Sequence, residues 1–345
     1  MTTATNAEFE TLTDPFRREL LAHCYRMLGS IQDAEDMVQE IYLRAWRAFD
    51  RFEGRSSLRV WMYTIATRTC LTALETRRRR ILPSDLGAPS HDARQSIASP
   101  DPEVLWMQPI PDALVATSAG DPEARLNSQV GIRLAFIAAL QSLSARQRAV
   151  LILRDVLSMH AAEVAEILDT SPVAVNSALV RARAQLKANR PSEDEFTEPV
   201  ESELRGMLDR YVEAFEHADI DALVGLLRAD VELEMPPTPT WFTGREAVAG
   251  FFAHRVLGQP RWQSGQGWSQ GGWRLLPTRA NGQPALAVYG CGDDGRYEAH
   301  GVHVLTFLGD RIARITVFNE PSLLPIFGFR PIVDPSGIRG AAKEF

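Results

Sequence analysis

Between Ser57 and Arg80 the chain interleaves rings, hydroxyls and guanidinium groups: Trp61, Tyr63, Thr64, Thr67 and Arg68 come ahead of four consecutive arginines, Arg77 to Arg80. Aromatic faces stack on unpaired bases and guanidinium groups pair with phosphates, so this mixture suits a surface that holds melted nucleic acid. Trp61 and Tyr63 serve equally well in a hydrophobic core, and both readings stay open. Just upstream, Asp33, Asp36 and Glu40 share a charged face with Arg47, which serves either solvent or a partner. A third set lies farther along. There Asn176 and Ser177 can hydrogen-bond base edges, while Arg181 and Arg183 can hold phosphates or simply stay solvated. Charge faces of opposite sign so close together imply two different partners.

These groups need elements to position them. A helix is predicted from Asp33 to Phe49, with Ala34, Met37, Val38, Ile41, Ala45, Ala48 and Phe49 as its inward stripe and its early carboxylates complementing the helix dipole. After Phe52-Glu53-Gly54 a second helix begins near Ser57. Between Leu140 and Lys187 the pattern is helix, helix, tight turn, helix: Ser144 caps the first, and Ser171 followed by Pro172 opens the last. In that last helix Val175, Ala178, Leu179, Ala182 and Leu186 face inward, leaving Val173, Asn176, Ser177, Val180, Arg181 and Arg183 wholly or partly outward. This is the helix-turn-helix arrangement, whose second helix enters a major groove.

The order DAED, VQE, RAW, then W-Y-IA-R and an arginine run resembles region 2 of a sigma factor of the extracytoplasmic-function type. The run L-S-x-x-Q-R, then A-E-V-A-E-I-L, then S-P-x-x-V-N-S-A-L-x-R-A-R is similar to sigma region 4. The resemblance implies that Asp33, Asp36, Gln39 and Glu40 contact core RNA polymerase. It implies that Ser56, Trp61, Tyr63, Thr64, Thr67, Arg68, Arg77 and Arg78 contact the −10 element. It places Ser171, Asn176, Ser177, Arg181 and Arg183 at the −35 element. Arg68 stands where the family often has Asn, Thr72 where it often has Asp, and Asn176 and Ala178 where many members are basic. The promoter preference of better-known members therefore does not transfer.

Charge is distributed to match. The net −7 of the 345 residues divides into +2 over 1–80, −5 over 81–130, +4 over 131–190 and −8 over 191–345. Phosphate neutralisation dominates nonspecific DNA affinity, so two small positive blocks in an acidic chain should bind free DNA poorly and need a polymerase partner. With 45% hydrophobic and 23% charged residues the composition is that of a globular protein with room for two or three domains, and no apolar run approaches a membrane span. The amino terminus carries no export signal, which leads us to expect a cytoplasmic protein. Cys24, Cys70 and Cys291 lie far apart in sequence with no metal spacing, so buried apolar filler is the expected role. We expect no metal and no cofactor.

Residues 82–130 carry seven prolines amid Ser, Ala and Asp and are expected to form an extended linker; its apolar island around Trp106 and Leu114 either threads toward the polymerase or packs on another domain of the chain. Beyond an acidic spacer at 192–200, helices are predicted from Val200 to His217 and from Ile220 to Leu227, followed by a strand at Val231–Met235 and later strands such as Ala285–Tyr289, Gly301–Phe307 and Ile312–Phe318. This α+β order, with its G-R-E-A-V turn at 244–248, resembles the SnoaL-like or nuclear-transport-factor-2-like cone. Cones of that type enclose a pocket, for which Tyr211, Met235, Trp241, Phe252, Trp268, His300 and His303 are the candidates.

The expected architecture is thus multidomain: sigma region 2 over 1–81, linker 82–130, region 4 over 131–191, spacer 192–200, a SnoaL-like regulatory domain over 201–335 and a tail at 336–345. Two all-α domains precede an α+β cone. The expected function is that of a sigma factor, not an enzyme, binding core RNA polymerase and promoter DNA and regulated in cis by its last domain. Two alternatives are a ligand-sensing DNA-binding regulator and a SnoaL-type enzyme fused to a DNA-binding arm.

Overall fold

The computed structural model describes residues 6–115, 131–188, 201–257, 272–292 and 294–334. The expected acidic spacer, the tail and Trp268 lie outside them. The chain divides into two compact units: Met1–Arg80 with Met107–Pro191, and Ile81–Trp106 with Ser192–Phe345. The stretch expected as one extended linker is therefore shared between them.

In the first unit α1 (Asn6–Thr13), α2 (Arg17–Leu28), α3 (Ile31–Phe49) and α4 (Leu58–Thr76) form a bundle. From Leu20 to Leu28 helix α2 is buried, including His23 and Arg26, because α3, α4 and helices from residues 112–151 surround it. Gly29 ends it at φ 72°, a left-handed conformation in which any side chain would also press on Gln141. Ser30 then caps α3 by accepting from Asp33 N, and Ser57 caps α4 in the same way from Val60 N; each such cap stabilises its helix by about 1 kcal/mol. Cys24 and Cys70, distant in sequence, meet in this core with their sulfurs 3.7 Å apart; the hydrogen bond between them, and then burial, raise the Cys24 thiol well above its usual range.

A short α5 (Asp112–Val115) precedes α6 (Leu134–Gln141), α7 (Ala145–Leu151), which widens into a π-helical turn at Ile152–Val156, α8 (Ala161–Ile167) and α9 (Pro172–Ala188). Two buried guanidinium groups fasten this half to α2. Arg26 donates to Gly131 O at 2.9 Å, and Arg148 donates to Met27 O and to four acceptors on Leu140, Gln141 and Leu143. Gln108 docks beside the α3 cap: Tyr25 donates to its carbonyl, Ser30 donates to Gln108 Oε1 and Gln108 Nε2 donates to Gln32.

In the second unit α10 (Glu201–Glu216), α11 (Ile220–Leu226) and α12 (Arg245–Phe251) cover a sheet of β1 (Leu227–Glu234), β2 (Trp241–Thr243), β3 (Trp273–Ala280), β4 (Gln283–Cys291), β5 (Tyr297–Leu308), β6 (Arg311–Phe318) and β7 (Ile332–Val333). The order is β2-β1-β6-β5-β4-β3, with β7 on β5. Among the strand pairs of the described residues β1–β6 is parallel and the others are antiparallel. Pro277 lacks a ladder donor and sits where that is tolerated, on edge strand β3. Bulges between Val288 and Tyr289 and between Thr306 and Phe307 bend the sheet around a core of Tyr211, Phe215, Phe242, Phe251, Phe252 and Trp273.

Candidate polymerase and nucleic-acid interface

Helix α3 presents Asp36 and Gln39 to solvent, and half-buried Glu40 is joined to Arg44 at 2.6 Å. Asp33 behaves differently. It is held by Arg77 at 2.8 Å and by Arg80 at 2.6 Å, so the first carboxylate of the acidic face is committed to the arginine run. Sequence reasoning overlooked Leu43 and Trp46, which are 51% and 39% exposed on the same helix. Their only advance signal was an apolar residue outside the inward stripe.

On α4 the expected −10 contacts separate into two groups. Tyr63 is fully buried, its hydroxyl 3.2 Å from Glu19 Oε2, and Thr67 is fully buried against His23 Nε2 at 3.1 Å. The expectation that these two hydroxyls face DNA is corrected: both fall on the side of α4 turned toward α2, where leaving that core would strip His23 Nε2 of its Thr67 partner and leave Glu19 with Arg59 alone, 3.1 Å away. Trp61 is half-buried, its ring 5.0 Å from Phe52 and 6.3 Å from Phe49. Ser56 and Thr64 are half-buried, and Thr64 donates to Val60 O. Arg68 reaches the end of α8, donating to Ile167 O at 3.1 Å and Glu166 O at 3.4 Å, where its charge meets the negative end of that helix. Arg77 and Arg78 are exposed.

The helix-turn-helix is built as its pattern predicts. Asp169, at φ 49°, turns the chain after α8, and Ser171 Oγ accepts from Ala174 N at 3.2 Å to start α9. Val175, Leu179 and Ala182 are buried, whereas Ser171, Asn176, Ser177, Arg181 and Arg183 are exposed. Arg183 forks Asp155 at 2.7 and 2.8 Å, which raises its pKa, so its guanidinium is already engaged.

The cone candidates also separate. Tyr211 donates or accepts across 3.2 Å with His303 Nδ1, in a core shared with Met235 and Phe252. Burial holds His303 down to about 3 and pushes the Tyr211 phenol far above its ordinary value. His300, against the Trp273 ring, is lowered to about 4, also by burial. A neutral imidazole beside a neutral phenol offers no acid–base pair poised near pH 7. Trp241, on β2, is not part of the apolar core: its indole N–H donates to Gly87 O at 2.9 Å.

That contact belongs to a seam. Within the second unit, Ser90 adds to β2 as a parallel bridge, donating to Trp241 O at 2.8 Å and accepting from Thr243 N. Ser84 N donates to Glu234 Oε1 at 3.0 Å, Ala98 N donates to Thr240 Oγ1 at 3.0 Å, and Arg255 donates to the carbonyls of Arg94 and Gln95. Ile97 packs on the cone core. Main-chain pairing of an extended segment with a sheet edge is β-augmentation, here within one chain.

Comparison with known proteins matches these parts. Residues 12–80 fit the Sigma-70 region 2 model, 133–186 fit Sigma-70 region 4, and 208–315 fit the SnoaL-like domain. The fold and these matches define a sigma-70-type factor with an appended cone. The chain is 48% identical to the ECF RNA polymerase sigma factor SigG of Mycobacterium tuberculosis (strain H37Rv) over 93% of its own length and 84% of that protein. It is 30% identical to SigJ of the same strain over 65% of this chain and 62% of that one. The crystal structure of SigJ superposes with a TM-score of 0.56 at 24% identity, over 94% of this chain and all of that one. This chain belongs to the extracytoplasmic-function RNA polymerase sigma factors and carries a carboxyl-terminal SnoaL-like domain. As such it binds core RNA polymerase and promoter DNA to start transcription, and is not itself an enzyme. No helix among the described residues is long and apolar enough to cross a membrane.

Proposed function

We propose that this sigma factor, acting beside RNA polymerase in the cytoplasm, docks through Asp36, Gln39 and Glu40 of α3 and reads promoters with α4 and α9, while its SnoaL-like domain restrains it in cis by gripping the linker. The supporting observation is the seam: residues 84–98, between the two promoter-reading regions, are hydrogen-bonded to the β1–β2 edge of the cone. A linker held there is not free to extend between two promoter elements. Trp61, Thr64, Arg68, Arg77 and Arg78 are the at least partly exposed α4-side candidates to meet DNA, with Arg68 first giving up its bonds to α8 and Arg77 its ion pair with Asp33.

Gly250 offers a direct test. A Cβ at that position would lie 2.6 Å from Ala93 Cβ, so Gly250→Val wedges linker from cone without touching either sigma region. Expected is a rise in transcription from a selected promoter with reconstituted core enzyme, together with faster proteolysis between Ser84 and Ala98. Freed linker with unchanged transcription sinks the regulatory reading.

A further inference from the structure

Two aliphatic side chains stand out on α9. Val173 is 74% exposed and Val180 is 66% exposed. A single exposed apolar residue is ordinary. These two, however, are seven positions apart, two helical turns, and so share one face with exposed Ser177 and Ala184, with Asn176 beside them. The opposite face, Val175, Leu179 and Ala182, is buried against the rest of the helix-turn-helix. The outward stripe therefore carries no charge at its centre, while Arg181, Arg183 and Lys187 and no carboxylate accompany it on the helix. Arg183 is paired with Asp155, but Arg181 and Lys187 are exposed on the same helix, and a basic surround of an apolar stripe suits a polyanion with apolar groups in its groove better than an apolar protein partner.

We propose that Val173 and Val180 read thymine C5-methyl groups in the −35 element, flanking the base edge met by Asn176. The proposal rests on α9 being the −35 helix. The thymine methyl is the one apolar group on the major-groove edges, and aliphatic side chains recognise it by contact rather than by hydrogen bonding. Seven residues of helix span roughly 10 Å, about three base-pair steps of 3.4 Å, so a helix lying along the groove places the two valines over thymines about three base pairs apart. Asn176 between them supplies an adenine contact. The preferred element is then rich in A·T pairs at the positions under α9, with no guanine contact needed from the valines.

The test uses holoenzyme reconstituted from the full chain and core polymerase. A promoter is first selected from a library randomised at −35, and each thymine there is then replaced by uracil, which deletes the methyl and preserves every hydrogen-bonding group. Expected is a loss of about fourfold at each of two positions roughly three base pairs apart, the value of one buried methyl-sized group. Val173→Ala and Val180→Ala, which should melt like the wild type, are each expected to start lower and to lose sensitivity to uracil at one position only. Uracil templates transcribed as well as thymine ones, or valine variants as uracil-sensitive as the parent, would overturn the assignment. Scrambling the whole −35 window without effect would instead overturn the reading of α9 on which it rests.

Discussion

Arg148→Met should loosen region 4 from α2. The Arg148 side chain, only 4% exposed, donates to Leu140 O at 2.9 Å, Gln141 Oε1 at 2.7 Å, Gln141 O and Leu143 O at 3.2 Å each, and Met27 O across the junction. Leu140 O also accepts from Leu143 N at 3.1 Å, whereas Met27 O and Gln141 O lie at helix ends, where the helix does not continue to supply a donor. Hydrogen bonds to a charged group contribute about 1.5 kcal/mol each at the low end of their range, so the five together are worth ~7 kcal/mol. Against this stands the cost of burying the charge. Burial, with Arg79 second, lowers the Arg148 pKa to about 10, which corresponds to ~3 kcal/mol. The balance is a loss of ~4 kcal/mol, in the range for breaking a buried charged site. Hydrogen exchange read by peptide reports this locally: amides of α6 and α7 should exchange about a thousandfold faster than in the wild type, with those of β4 and β5 unchanged. Arg148→Lys, a point charge reaching fewer acceptors, should fall between. A change under threefold in α6 and α7 would refute the reasoning, because the carbonyls would then have to be satisfied by something other than this side chain.

Two further outcomes follow from buried groups. His23 and His303 are held neutral by burial, each lowered to about 3, whereas an unfolded histidine titrates near 6.5. The unfolded chain therefore takes up protons first, so stability is complete above pH 6.5 and is lost as pH falls toward 3, by ~2 kcal/mol per ring at pH 5. Thermal unfolding at pH 7 and pH 5 should show this, with His303→Gln relieving its share; equal stability at both pH values counts against it. Tyr63→Phe and Thr67→Val remove hydroxyls that bond Glu19 and His23, and should each cost ~1 kcal/mol in stability with no change in −10 base preference; a shifted preference in a promoter library would return both residues to the DNA surface.

Helical period placed α3 and α4, and period with caps placed the helix-turn-helix, within a few residues, because those signals are local: Ser144 and Ser171 each bond an amide three residues on, as do Ser30 and Ser57, on whose capping the expected helices did not rest. The strands of the cone were legible for the same reason, through alternation in β5 and β6. The buried helix α2 was not singled out, since a helix covered on every side carries no amphipathic stripe and even includes Arg26.

What pattern leaves open is which polar group on a helix faces a neighbour. Tyr63 and Thr64 are adjacent, and only the position of α2 sends Tyr63 inward while leaving Thr64 half-exposed. Asp33 and Asp36 read as one acidic face, yet the return of the chain at Arg77 and Arg80 neutralises only the first. The proline-rich stretch showed no period of its own, and its structure comes from a sheet edge more than a hundred residues away in sequence. The sequence alone thus determined the helices and strands, because periodicity and capping are written within a few turns, while the two sigma regions and their order were legible through the resemblance of their motifs to a known family. Only the tertiary structure decided which of the candidate side chains remain at the surface and what the linker binds, because burial and strand pairing depend on partners that no local pattern names.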